Sequence, residues 1–200
     1  MPIVVDKNQK RREILAASMR VFARKGFHRT RMEEVAAEAH IGKGTIYEYF
    51  RSKTELFLSL HEHMLAELKE FYARELGGID EPRDALVRFV EVAFATFREW
   101  EPFFIVFCDF WAEGGRGEHH ALLQTQLRKA YRQAREDLAL VIEAGVARGL
   151  FRSGEASLAA EHILASLDGL VLHWLCDREA FDLDRMRETL IRTILRSLEK

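Results

Sequence analysis

Apolar residues recur at three- and four-residue intervals along nearly the whole 200-residue chain, and no stretch shows the β-branched alternation of a half-buried strand. Three prolines, Pro2, Pro82 and Pro102, are too few to break that pattern. The periodicity predicts an all-α fold of about nine helices. Ile14, Ala17, Ser18, Val21 and Phe22 line one face of a first helix, which Gly26 and the apolar Phe27 behind it should close. Thr30-Arg31-Met32-Glu33 has the form of a capping box opening a second helix that ends near Ala39, and Ser52-Lys53-Thr54-Glu55 has the form of another, opening a long fourth helix. Pro82 and Pro102 are expected in first turns, giving helices over about 82–99 and 102–112. The glycines of residues 114–117 separate these from a long seventh helix with a stripe from Leu123 to Gly145, and two more helices follow, carrying Ile163 to Trp174 and Leu183 to Leu198.

With 48% hydrophobic and 31% charged residues, the chain has the composition of a globular protein. No apolar run approaches the ~18 residues of a membrane span, and the start MPIVVDKNQKRR lacks the apolar stretch of a secretory signal, so the expected location is cytoplasmic. Cys108 and Cys176 are too few and too far apart for a disulfide framework or a thiolate zinc site. The net charge of −2 conceals an asymmetry. Residues 1–53 carry 12 Lys+Arg against 6 Asp+Glu, and the remaining 147 carry 18 against 26, so a +6 head precedes a −8 body. A basic head suits contact with a polyanion. The domains expected are 1–53 for that contact and 54–200 for the remainder.

Between the second and fourth helices lies AHIGKGTIYEYFRSK, residues 39–53. A short helix, the turn His40-Ile41-Gly42, and a second short helix from Lys43 make a helix-turn-helix, in which one helix braces the other against double-stranded DNA. Ile41, Ile46 and Phe50 can pack inward, leaving Lys43, Thr45, Tyr47 and Tyr49 for the outer side. Gly44 allows close approach of a phosphate or base edge. Lys43 suits a guanine edge or phosphate, Thr45 a base or phosphate, and Tyr47 a phosphate through its hydroxyl. Lys53 and the amides beginning the fourth helix can grip another phosphate. Such spacing also fits a plain helical corner, and the basic head favours the DNA reading.

The run ILAASMRVFARKGFHRTRMEEVAAEAHIGKGTIYEYFRSKTELF, within residues 10–60, resembles the N-terminal DNA-binding domain of the tetracycline repressor (TetR) family of bacterial transcription regulators. F-x-x-x-G-F, T-R-M-E-E-V-A, G-T-I-Y and Y-F-x-S-K-x-E-L carry the likeness. The resemblance implies a homodimeric repressor, or less often an activator. It further implies a C-terminal helical domain that binds an inducer and dimerises through its last two long helices. It places Arg31, Lys43, Gly44, Thr45, Tyr47 and Lys53 on positions that commonly contact operator DNA. Two departures stand out: His40 where the family usually has a turn glycine, and Gly42 where it usually has a Ser or Thr cap. His tolerates a left-handed backbone, and a Gly N-cap costs only a few tenths of a kcal/mol relative to Ser or Thr, so the motif should survive both.

In the second part, Phe94, Phe97, Trp100, Phe103, Phe104, Phe107, Phe110 and Trp111 place eight of the 21 aromatics within 18 positions. Glu99, Glu101, Asp109 and Glu113 lie among them with no Lys or Arg between Glu99 and Gly115. An aromatic pocket with a negative bias would suit a small lipophilic effector, cations included, between helices five to eight, with Tyr131, His173 and Trp174 as further lining. Ordinary core packing is the competing account of each ring. The last two helices are apolar on more than one face, and Gly169 permits close backbone approach. Leu167, Gly169, Leu170, Leu190, Ile191 and Ile194 are therefore the expected interface of a two-chain, four-helix bundle.

No nucleophile paired with an acid and base is evident, so an enzyme is not expected, nor any cofactor. His61, His63 and His119-His120 lack metal-ligand spacing. A helical-bundle enzyme or carrier of hydrophobic molecules, and an architectural DNA-binding protein without effector, are the alternatives.

Overall fold

In the computed structural model, residues 6–113 and 118–200 are described, with the side chains of residues 109, 111–113 and 118–120 outside the description. The described residues form α1 (Lys7–Arg29), α2 (Met32–Glu38), α3 (Lys43–Tyr49), α4 (Lys53–Leu76), α5 (Pro82–Glu99), α6 (Glu101–Glu113), α7 (Glu118–Ala147), α8 (Ala156–Cys176) and α9 (Leu183–Leu198). Among them there is no strand, only an isolated bridge between Phe151 and Glu199. The all-α expectation therefore holds.

The local signals act much as the sequence implies, with two changes of register. Gly26 takes φ 77° and breaks the helical path of α1, which only a residue without Cβ does cheaply. Thr30 does not cap α2. Its hydroxyl donates to the Gly26 carbonyl at 2.8 Å, closing α1, and Arg31 is the N-cap of α2, its backbone N–H donating to Glu34 Oε2 at 2.9 Å. The box is thus shifted by one residue, because a threonine beside an open helix end is drawn to the nearer carbonyl. At α4, Ser52 Oγ accepts from the Glu55 N–H at 3.0 Å as expected, but Glu55 reaches back to the Arg51 N–H at 2.9 Å.

The described residues group into two compact units, Met1–Glu67 with Glu101–Gln126, and Leu68–Trp100 with Leu127–Lys200. In the first, α1 packs along α6 and α2, and α2 along α3. Its core is Ile14, Ala17, Val21 and Phe22 of α1, Val35 and Ala36 of α2, Ile46 of α3, then Phe50 and Leu56, Phe57 and Leu60 of α4, all almost wholly buried. Burying one such large apolar side chain contributes about 1.5–3 kcal/mol. Phe57 stacks on Phe110 of α6 at 4.0 Å, and Phe27 meets that ring edge-on at 4.8 Å, so the residue behind Gly26 seals α1 against α4 and α6.

In the second unit α5 packs on α8 and α9. Leu86, Val90, Phe94 and Phe97 meet a core completed by Leu138, Ile142, Phe151, Ala160, Ile163, Leu167 and Ile194. Buried polar side chains are satisfied in both units. Ser18 and Thr96 hydroxyls donate to the Leu15 and Val92 carbonyls, and His61 Nδ1 lies 2.8 Å from Gln126 Oε1.

Gly145 of α7 shows what a glycine demanded by packing looks like. A Cβ there would lie 2.1 Å from Cδ2 of the buried Phe151 ring. The ring cannot retreat, since the chain at 151–152 is tied to α9 by the Arg152 N–H to Leu198 carbonyl bond of 2.7 Å. Gly145→Ala should therefore cost roughly 1–3 kcal/mol, lowering Tm by several degrees, and Gly145→Ala with Phe151→Leu should recover part of it in a melting experiment.

Candidate functional site

α3 has seven residues and little intrinsic stability, and its placement comes from burial. Ile46 is fully buried and so is Phe50 at its C-cap, whereas Ile41 in the turn is half-buried. Phe50 carries the Arg11 guanidinium over its ring at 4.5 Å, and that guanidinium also donates to Ser59 Oγ at 2.8 Å, tying α1, the end of α3 and α4 together. The turn between α2 and α3 is closed by the Ile41 N–H donating to the Ala36 carbonyl at 2.9 Å. His40 has φ 54°, the left-handed conformation its position demanded, and Gly42 is an extended N-cap with no side-chain bond.

The outer side of α3 carries exposed Lys43, Gly44 and Tyr47, with Thr45 and Tyr49 half-buried. Tyr47 is 42% exposed, large for an aromatic with no internal task. A Cβ at Gly44 would meet nothing within 4 Å, so the fold does not require a glycine at this first-turn position, where alanine is the better helix former. Arg31, at the start of α2, is exposed. Lys53 is placed differently from a free phosphate grip. Its ammonium donates to the Phe27 and His28 carbonyls, both at 2.8 Å, and lies 4.5 Å from the Phe27 centroid, so it caps the C-terminal end of α1.

Carboxylates of α2 brace the motif. Glu38 accepts from Arg20 Nε at 2.8 Å and Arg24 at 2.6 Å, which hold its carboxyl down at about 2, and Glu34 pairs with Lys25. Glu33 meets Lys43 at 2.7 Å, an ion pair that lowers the carboxyl and raises the ammonium. Charge spacing alone did not reveal these partners.

The aromatic run divides between the two units. Phe103 and Phe107 stack beside the His61 imidazole at 6.0 and 5.4 Å, Phe110 joins Phe57, and half-buried Phe104 lies 6.1 Å from Phe103. Burial pushes the pKa of His61 down, keeping it neutral. Phe94 and Phe97 pair at 5.5 Å in the second unit, where Trp100 is half-buried. The Trp111 side chain, those of Asp109 and Glu113, and those of His119 and His120 lie outside the described residues. On α7, the 43%-exposed Tyr131 donates its hydroxyl to Asp168 Oδ2 of α8 at 2.7 Å; partial desolvation raises the pKa of both groups, and the neighbouring carboxylate raises that of Tyr131 further. Asp168 is an acid inside the apolar pattern of α8, and its pairing with Tyr131 is not visible in the sequence. Trp174 is buried beneath the Arg178 guanidinium at 5.6 Å, whereas neighbouring His173 is exposed.

On the expected interface, Leu167 and Ile194 belong to the core of their own unit at 5% and 6% exposure. Leu170, Leu190 and Ile191 are half-buried and Gly169 is exposed, with nothing within 4 Å of a Cβ there. Leu158 and Leu172 of α8 are exposed at 58% and 50%. Among the described residues no cluster of His, Cys, Asp and Glu could hold a metal ion, and no helix is long and apolar enough to cross a membrane.

Residues 14–60 match the family described as bacterial regulatory proteins, tetR family, and residues 82–199 match the BetI-type transcriptional repressor C-terminal family. The chain is 31% identical over 160 residues to the HTH-type transcriptional repressor NicS of Pseudomonas putida, covering 80% of this chain and 74% of that protein. It is 20% identical over 203 residues to the fatty acid metabolism regulator protein of Bacillus subtilis, covering 94% and 95%. Among solved structures, a transcriptional regulator from Saccharomonospora viridis in complex with choline superposes with a TM-score of 0.86 at 26% identity, covering 97% and 100% of the two chains. FadR of Bacillus subtilis in complex with stearoyl-CoA, at 20% identity, shares the fold with a TM-score of 0.78 over 93% and 98%. A helix-turn-helix that exposes α3, joined to a C-terminal region matched over 82–199, makes this chain a member of the TetR family of transcription regulators.

Proposed function

We propose that the chain is a cytoplasmic repressor, and not an enzyme, that grips a pseudo-palindromic operator as a homodimer and releases it when a small lipophilic effector binds. Residues 1–53 supply the DNA surface and 54–200 the effector and dimer functions. The observation that carries the reading is the outer surface of α3. A first-turn glycine with no neighbour to accommodate, beside an exposed lysine and an exposed tyrosine, is of little use to a lone helix and useful against a duplex. Lys43 then takes a guanine edge or phosphate, Thr45 a base or phosphate, Tyr47 a phosphate, with Arg31 and Tyr49 at the rim; Lys53 acts by fixing the start of α4. One helix per major groove from each protomer matches the symmetry of such a site.

The same reasoning supports a dimer face on α8. Gly169 is a helix-interior glycine that the fold does not require, with exposed Leu172 beside it and Leu158 on the same row. Leu170 widens the face on α8, and Leu190 and Ile191 extend it onto α9. Leu167 and Ile194 support it from beneath.

For the effector, the aromatic candidates of the second unit, with Phe94 and Phe97 paired, and the half-buried Asp168 beside Tyr131 favour a lipophilic molecule, cations included. The choline bound to the Saccharomonospora viridis regulator, 26% identical, is consistent with that class.

In a gel shift against the DNA upstream of its own gene, Lys43→Ala and Tyr47→Ala should each weaken binding roughly ten-fold with little change in Tm. Loss only through unfolding would contradict the roles assigned, and a duplex-blind protein would revive the carrier or enzyme alternative. Sedimentation at micromolar concentration should give a dimer, and Gly169→Arg should give a folded monomer; a monomeric parent protein would overturn the assembly. Titration with choline and with a longer-chain quaternary ammonium should change tryptophan fluorescence and release the duplex, whereas no response to either would count against a cationic effector.

A further inference from the structure

The fold places one carboxylate of α2 in the way of the function just proposed. Of the three acids on that helix, Glu34 and Glu38 pair with Lys25, Arg20 and Arg24 of α1, where they join two helices of the same core. Glu33 alone reaches the other way, across the turn, to the Lys43 ammonium of α3 at 2.7 Å. Both partners are well exposed, Lys43 at 68% and Glu33 at 43% of their side-chain surface. An exposed pair of this kind adds little to stability, and α3 is already held by Ile46 and Phe50. The fold therefore does not depend on it.

We propose that Glu33 competes with DNA for the Lys43 ammonium and thereby limits the strength and salt sensitivity of duplex binding. The inference rests on the reading of Lys43 as a DNA contact. To reach a guanine edge or a phosphate, the ammonium either leaves Glu33 or brings that negative charge toward the polyanion. In both cases the gain from Lys43 is reduced. Removing the competitor should release it in full: affinity should rise about two- to five-fold per head, the range of an exposed ion pair. The slope of log affinity against log salt should steepen by up to about one per head, because Lys43 then neutralises a whole phosphate charge. A weaker head is useful to a regulator that must let go, since a modest coupling to effector then suffices for release.

The test uses the full chain and its Glu33→Gln, Lys43→Ala and double variants. Binding to a mixed-sequence duplex and to the duplex upstream of its own gene is followed by fluorescence anisotropy over a salt series, with thermal melting to show that each variant folds. The expected result is tighter and more salt-sensitive binding by Glu33→Gln, and little effect of the same change in the Lys43→Ala background. Unchanged or weaker binding by Glu33→Gln would overturn the proposal, the weaker case marking Glu33 as a guide that positions Lys43. Equal tightening in the Lys43→Ala background would overturn it too, since that is charge repulsion without competition. If Lys43→Ala binds as well as the parent protein, the underlying reading of Lys43 fails. If it binds less well while Glu33→Gln gains nothing, only the competition fails.

Discussion

Seven residues of helix do not hold themselves together in water, so α3 persists only because Ile46 and Phe50 are buried against the bracing helices. Everything proposed for the chain depends on that anchorage. It fixes which side of α3 is left outside, and Lys43, Gly44 and Tyr47 are there because the opposite side is apolar. The aromatic contacts of Phe22, Phe27, Phe57 and Phe110 extend the same core through α1, α4 and α6. The first unit is held together chiefly by this ring packing, since exposed salt bridges contribute little.

Three glycines separate internal from external demand. Gly145 has Phe151 pressed onto it, so its missing Cβ is explained by the fold itself. Gly44, in the first turn of α3, and Gly169, inside α8, have nothing within 4 Å, and alanine is the better helix former at both. Each lies on a surface for which a partner is proposed, a duplex for the first and a second chain for the second. Electrostatics makes a similar distinction: Glu34 and Glu38 join helices of one core, whereas Glu33 engages the cation proposed to meet the duplex.

Helix number and order were legible because period 3.6 and well-placed prolines and glycines are local signals. Gly26 and His40 were legible because the backbone there allows few residue types. The capping box at Thr30 was read one residue early, since its sequence cannot show that the Gly26 carbonyl is nearer than the α2 amides. The bonds of Lys53 to the carbonyls of Phe27 and His28, far back in the chain, are invisible in a linear reading. The density of rings from Phe94 to Trp111 was equally visible, but their division was not: Phe103, Phe107 and Phe110 serve the first unit and Phe94 and Phe97 the second, a matter of long-range packing. His61 acquired its meaning only once Gln126, 65 positions away, was placed beside it.

The central claim is that the exposed side of α3 exchanges counterions with nucleic-acid backbone. The most direct measurement is the affinity of the purified chain for the duplex upstream of its own gene as a function of salt. Log affinity should fall linearly as log salt rises, with a slope set by the phosphates that its basic residues neutralise. An affinity that does not respond to salt, or no binding at any salt, would contradict the account.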